Sequence, residues 1–178
     1  MSFLELVEQR RSCRQYSDQA VTFDKIQRCL EAARLAPSAC NSQPWRFIVV
    51  ADYKLKNEFA QKVFGGIYGM NRFAVEAPVL VVVIREKAKY AAALGAVCRG
   101  TQFSLIDLGI ACEHFILQAQ EEGLGTCWIG WFDEKAAKKI LSLPRHVKMD
   151  IVISLGYPKE PLGIKKNRKP LQEISEIR

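Results

Sequence analysis

The sequence predicts a mixed α/β layer protein built on one sheet of about four or five strands. Three observations predict it. The unbroken β-branched run VLVVVIR at 79–85 reads as a central strand buried on both faces. Apolar residues recur at helical spacing in Ile26, Cys29, Leu30, Ala33 and Ala36, and again in Leu105, Leu108, Cys112, Phe115 and Ala119. Helical and strand-like segments also alternate along a chain of 178 residues, which is one domain on a prior of roughly 150 residues per domain.

The elements follow in order. Residues 2–10 read as a short helix with Phe3, Leu4, Leu6 and Val7 on one face. The polar, basic stretch from Arg10 to Thr22 reads as extended chain or loop, and Thr22 is placed to cap a helix over 23–36 that Pro37 ends. WRFIVVA at 45–51 is strand-like, 53–64 helical, and GGIYG at 65–69 a flexible break. The longest helix is expected within 99–123; Ile106, Ile110 and Leu117 add apolar surface beside its main stripe, more than one buried face needs. A Gly-punctuated strand and loop at 123–132, a helix at 133–141 and a strand at 148–158 complete the unit. The tail, 159–178, is basic and has too little apolar content to pack alone.

Composition narrows the function classes. The first fifteen residues carry charges where a secretion signal has its apolar segment, and the run at 77–84 is far shorter than the roughly 20 residues of a membrane span. A cytoplasmic protein that does not enter membranes is expected. Six cysteines with no C-x-x-C spacing read as reduced thiols, several buried, and two unpaired histidines give no metal site. The net charge of +7 favours anionic partners.

Three polar stretches carry the chemistry. The first holds Arg10, Arg11, Ser12 and Arg14; the last holds Lys165, Lys166, Arg168 and Lys169. Arginines beside a hydroxyl suit a phosphate, because guanidinium forks make charge-assisted bonds. Between them, PSACNSQPWRF at 37–47 packs Ser38, Asn41, Ser42 and Gln43 into one connection. Neutral donors and acceptors suit a polyol chain and heterocycle edges, while Trp45 reads as core. Phosphate, polyol and heterocycle together describe a nucleotide-like cofactor, held by neither a P-loop nor a G-x-G-x-x-G turn. A basic nucleic-acid-binding protein is the reading from another class, but no aromatic residues alternate with the basic ones in a binding motif.

The ordered set RRSCRQYSDQAV, AARLAPSACNSQPWRFIVV, DLGIACEHFILQAQEEGLGTCWIG, ISLGYP and KKNRKPLQEI resembles the nitroreductase family of FMN-dependent oxidoreductases, from about residue 3 to 174. The resemblance implies an α+β, three-layer fold with a central, mostly antiparallel sheet flanked by helices. It implies a single domain over 1–178 and a homodimer whose tail, 159–178, crosses to the partner. It implies FMN as cofactor, NAD(P)H as reductant and a small electron-poor acceptor, a nitroaromatic or quinone, reduced by ping-pong hydride transfer through flavin N5. No catalytic side chain is required. By motif, Arg10 and Ser12 match the FMN phosphate and ribityl end, Arg14 the pyrimidine edge, and Arg11 the same motif less directly. Pro37, Ser38, Ala39, Asn41 and Gln43 match the loop beside the flavin, with Ala39 and Cys40 where hydroxylated residues are common. Trp128, Ile129 and Gly130 match the segment passing the ring, and Lys166 and Arg168 the K-x-R-x-P phosphate motif. The region 65–76 is short for the family and leaves Asn71 and Arg72 as loose ring-edge candidates. Other chemistries on the same fold, dehalogenase-like or flavin-modifying, and a flavin-binding protein without turnover are the alternatives.

Overall fold

The computed structural model describes residues 1–87, 98, 100–160 and 166–178. Its elements are α1 (Phe3–Gln9), α2 (Phe23–Arg34), β1 (Trp45–Val50), α3 (Tyr53–Val63), β2 (Val79–Arg85), α4 (Phe103–Glu121), β3 (Gly125–Ile129), α5 (Glu134–Ile140), β4 (Lys148–Gly156) and α6 (Leu171–Ile174). The four strands form one antiparallel sheet in the order β1-β2-β4-β3.

The sheet separates two cores, and β2 shows why its sequence is apolar throughout. Leu80, Val82 and Ile84 face one core with Val50, Phe59, Val63, Ala137 and Val152. Val79, Val81 and Val83 face the other with Cys29, Leu108, Cys112, Phe115 and Ala119. Alternate side chains point to opposite faces, so a strand covered on both sides has no polar position to spare. Helices α2 and α4 cover one face and α3 and α5 the other, giving the three-layer α+β arrangement.

Local chemistry sets the helix starts. Ser2 and Glu5 form a reciprocal capping box on α1, and the carboxylates of Asp52 and Asp133 accept the Leu55 and Ala136 amides at 2.9 Å. Thr22 stands at the start of α2 but its side chain makes no cap bond. The expected break at 65–69 is instead the start of a 3-10 run, Gly66–Val75, whose last carbonyl takes the buried Lys56 ammonium at 2.8 Å. Glycines admit that run without preventing it.

On α4 the expected stripe is buried except Leu105, which is 40% exposed beside Ile106 at 52%. Residue 99, the expected start of that helix, lies outside the described residues. Residues 167–178 are exposed along their length and include the unexpected short helix α6. Among the described residues no helix is long and apolar enough to cross a membrane.

Candidate functional site: a basic sheet edge and a polar loop

Strand β3 lies at the sheet edge, and the first basic motif is laid along it. Ser12 pairs with Thr126 in a parallel bridge, and the Cys13 amide donates to the Thr126 carbonyl at 2.8 Å. The close approach requires Gly125, because a Cβ there would stand 2.7 Å from the Cys13 Cβ. The motif is pinned from beneath by Tyr16, whose hydroxyl donates to the Cys13 carbonyl at 2.8 Å and lies 2.7 Å from the Ser154 Oγ. Burial raises the Tyr16 phenol far above its ordinary range, so it stays protonated. Cys13 points inward and is buried, while Ser12 and Arg14 are exposed and Arg10 is half-buried.

The cations gather at this edge. Burial raises the Cys127 thiol, and the Arg14 charge, a Ser12 hydrogen bond and the Arg10 charge partly offset that rise. Arg14 stands over the Phe73 ring, 5.8 Å from its centroid. From the tail, Lys166 donates to the Val7 carbonyl of α1. Its ammonium is held below the ordinary lysine range by burial and by the charges of Arg11, Arg10 and Arg168. Arg11 turns back onto the end of α1, donating to the Arg10 carbonyl at 3.0 Å. Arg11, Lys166 and Arg168 line one cleft of about 810 Å³ with Glu5, Glu8 and Gly123. Among the described residues, Arg10, Arg14, Lys166 and Arg168 form no ion pair with a carboxylate. Lys165 lies outside the described residues.

Beyond Thr126 the edge stays open. Backbone groups alternate in direction along a strand, so the Trp128 amide and carbonyl point outward on the same side as those of Thr126. The side chain of Trp128 packs on the α2–α4 core and Ile129 is buried in the other, leaving only backbone to face a ligand here. Gly130 is exposed. Just past it, the Trp131 carbonyl accepts the Asn71 amide at 2.7 Å and the Trp131 ring meets Tyr68 at 5.2 Å. The 3-10 run is therefore fastened to the end of β3. Of the two ring-edge candidates, Asn71 stands there, whereas Arg72 lines a different cleft with Gln61 and Glu76.

The 37–43 loop is built differently. Cys40, Asn41 and Gln43 have φ of 52°, 49° and 48°, in the left-handed region that costs a non-glycine residue roughly 1–2 kcal/mol. The loop's own polar groups hold this shape. The Ser38 hydroxyl accepts the Gln43 amide at 2.9 Å, the Gln43 side chain donates to Asn41 Oδ1 at 2.8 Å, and the Ser42 amide donates to the Ala39 carbonyl at 3.0 Å. Pro37, Asn41 and Gln43 are exposed; Ser38 and Ala39 are half-buried. A further tie comes from α4, where buried Asp107 accepts the Ala39 amide at 3.0 Å. The sequence reading passed over Asp107. Its signal was an acidic residue standing among the apolar positions of FSLIDLGIAC. Tyr16, Phe73 and Trp131 were also missed; large aromatics read as core when seen singly.

One chain does not bring all these residues together. The loop leads into β1, at the sheet edge opposite β3, three strand spacings or about 14 Å away across the sheet. Arg10, Arg11, Ser12, Arg14, Trp128, Ile129, Gly130, Lys166 and Arg168 share the β3 edge; Pro37, Ser38, Ala39, Asn41 and Gln43 share the other.

Comparison with known proteins places this architecture. Residues 7–157 match the model of the Nitroreductase family. The chain belongs to the nitroreductase family. It is 32% identical over 195 residues to an NADH dehydrogenase of Thermus thermophilus, covering 93% of this chain and 90% of that protein. It is 25% identical over 190 residues to an iodotyrosine deiodinase of Thermotoga neapolitana, covering 96% and 94%. The solved structure of an FMN-dependent nitroreductase of Clostridium difficile R20291 superposes with a TM-score of 0.77 at 27% identity, covering 98% of each chain. The nitroreductase fold expected from the motifs is thus the fold observed.

Proposed function

We propose that this nitroreductase-family chain is an FMN-dependent oxidoreductase that carries reducing equivalents from NAD(P)H to an electron-poor planar acceptor such as a nitroaromatic or quinone. The observation that carries the reading is the cluster of Arg10, Arg11, Lys166 and Arg168, drawn from both ends of the chain onto one sheet edge. Like charges repel, and an anion bound among them would offset that repulsion. A terminal phosphate fits that donor set. The hydroxyl of Ser12 and the outward backbone of Trp128 continue the donor row along β3, which suits a ribityl chain and a heterocycle edge. The chemistry FMN supplies when bound is two-electron transfer between NAD(P)H and the acceptor. Arg10, Ser12, Lys166 and Arg168 would hold and orient it, and the Arg14 charge would favour added negative charge on a ring bound nearby.

The neutral loop is the second half of this reading. Its residues complete the site only if a second copy brings its own 37–43 loop to the β3 edge. Exposed Leu105 and Ile106 on α4, and Phe3 and Leu4 on α1, supply apolar surface for such an association. The single domain would then end in a tail that serves the shared site.

Two measurements test the reading. The purified protein is expected to be yellow, to release FMN on heating as identified by mass, and to bleach when reduced nicotinamide is added without oxygen. Recovery of FAD, or failure to take up any flavin, rejects it. Solution mass over a dilution series is expected to show a dimer; a flavin-loaded monomer rejects the shared site. The deiodinase relative motivates one rival on the same fold. Turnover of iodotyrosine with no reduction of quinones or nitroaromatics would favour that rival.

A further inference from the structure

We infer that Asp107 is a positioning residue, a carboxylate latch on α4 that holds the 37–43 loop in its left-handed form for the uncharged part of the flavin. The inference rests on the cofactor reading above. Three observations carry it. The Asp107 side chain is 4% exposed and its Oδ1 accepts the Ala39 amide at 3.0 Å. The residues just beyond Ala39 include three with positive φ. The second oxygen, Oδ2, is buried with no hydrogen-bond partner among the described residues.

A buried carboxylate with an empty acceptor is a poor way to stabilise a core. Replacing such a group with an apolar residue of similar volume is often neutral or stabilising. Asp107 is therefore costly as a core residue, and what it contributes is the bond to Ala39. That bond ties the start of the 3-10 turn at Ala39–Asn41 to a long, well-packed helix. The Ser38–Gln43, Gln43–Asn41 and Ser42–Ala39 bonds are internal and would survive if the whole loop swung as a unit. The Asp107 bond ties the loop to α4, and so bears on where Asn41 and Gln43 are presented.

The test compares Asp107→Leu and Asp107→Asn with the wild type. Asp107→Leu removes the acceptor and fills the space. It is expected to leave the melting temperature unchanged or raised while weakening FMN and riboflavin equally, by on the order of tenfold to a hundredfold, the value of one hydrogen bond to a charged group. Equal losses separate this residue from the phosphate cluster, since riboflavin carries no phosphate. Asp107→Asn keeps an oxygen for the Ala39 amide and is expected to restore most of the affinity. Hydrogen exchange is expected to quicken in residues 39–43 of Asp107→Leu and nowhere else.

Wild-type flavin affinity in Asp107→Leu overturns the inference. So does a loss of affinity that tracks a loss of stability, which marks a merely structural role. An Asp107→Asn variant as weak as Asp107→Leu overturns the hydrogen-bond latch in favour of charge. If the wild type takes up no flavin, the cofactor reading fails, and the exchange rates of residues 39–43 still decide whether Asp107 latches the loop.

Discussion

The two polar edges of the sheet solve opposite problems. At β3 the groups are charged, and charges of one sign cannot satisfy one another. Arg10, Arg11, Lys166 and Arg168 come close together there, with Lys166 bonded to α1 and the Ser12–Arg14 stretch pinned from beneath by Tyr16 and Ser154. At β1 the groups are neutral, and neutral amides and hydroxyls can serve as each other's partners. Ser38, Asn41 and Gln43 do so, at the cost of a left-handed backbone. An anion bound at the first edge would offset its like charges. The second needs only to be held in place. A cofactor with a charged end and a neutral end would use both designs.

The largest effect expected is at the charged edge. If Arg168 contacts a phosphate, its charge-assisted bonds are worth roughly 1.5–3 kcal/mol, so Arg168→Ala weakens FMN by on the order of tenfold to a hundredfold. Riboflavin should bind variant and wild type almost equally. Equal weakening of both ligands in a titration would place Arg168 with the fold and not with the phosphate. Next comes the support beneath that edge. A methyl group at Gly125 would stand 2.7 Å from the Cys13 Cβ and 2.8 Å from its Sγ. Gly125→Ala is therefore expected to cost about 1–3 kcal/mol in urea unfolding, as overpacking does, and to push the basic motif off β3. Unchanged stability would mean the edge is looser than its contacts imply.

How legible these features were in the sequence depended on whether they are local. The β-branched run at 79–85 states its own burial, and β2 spans the predicted residues. The basic motifs were visible as charge, and the resemblance placed them on one ligand. Their convergence was not visible, because Lys166 meets Arg10 through tertiary folding across more than a hundred residues. The loop's polar density was read as ligand-facing. Much of it proves to be internal bonding, which composition alone cannot distinguish. Thr22 carried the right residue type for a cap but its side chain makes no cap bond, and Asp107 was hidden because acidic residues on helices are ordinarily solvated.

The cysteines report on each edge separately. Cys40, in the loop, is exposed, as is Cys98, whereas Cys13 and Cys127, beneath the basic motif, are buried with Cys29 and Cys112. At pH 8 a thiol reagent should titrate Cys40 and Cys98 promptly and reach the other four only after denaturation. Protection of Cys40 by added flavin would sharpen the comparison; rapid labelling of Cys127 would break it. Burial also raises Cys29 and Cys112 from an ordinary 9.0 to about 12. Their folded values lie above the unfolded one, so the stability that goes with a neutral thiol is complete below pH 9 and is lost as pH rises towards 12. Each thiol contributes a slope of about 1.4 kcal/mol per pH unit across that window. Unfolding measured from pH 8 to 10.5 should steepen above 9, and Cys112→Ala should flatten the curve.

The smallest effect tests the neutral edge. Cys40 sits at φ 52° with its side chain exposed. The left-handed conformation costs a non-glycine residue roughly 1–2 kcal/mol, and glycine removes that cost while adding about 0.5–1 kcal/mol of unfolded-state entropy. Cys40→Gly should therefore stabilise the protein by no more than about 1.5 kcal/mol, whereas Asn41→Gly should gain less, because asparagine already tolerates this region. Cys40→Gly leaves the turn and its polar bonds in place, so riboflavin affinity should stay at the wild-type value there, whereas Asn41→Gly removes the oxygen that accepts the Gln43 side chain and should weaken riboflavin. The contrast with the charged edge is then direct: there, losing one charged side chain costs phosphate binding, while here, losing the Cys40 side chain costs nothing provided the turn is kept. A destabilised Cys40→Gly would show that the thiol, and not the turn it sits in, is what the loop retains.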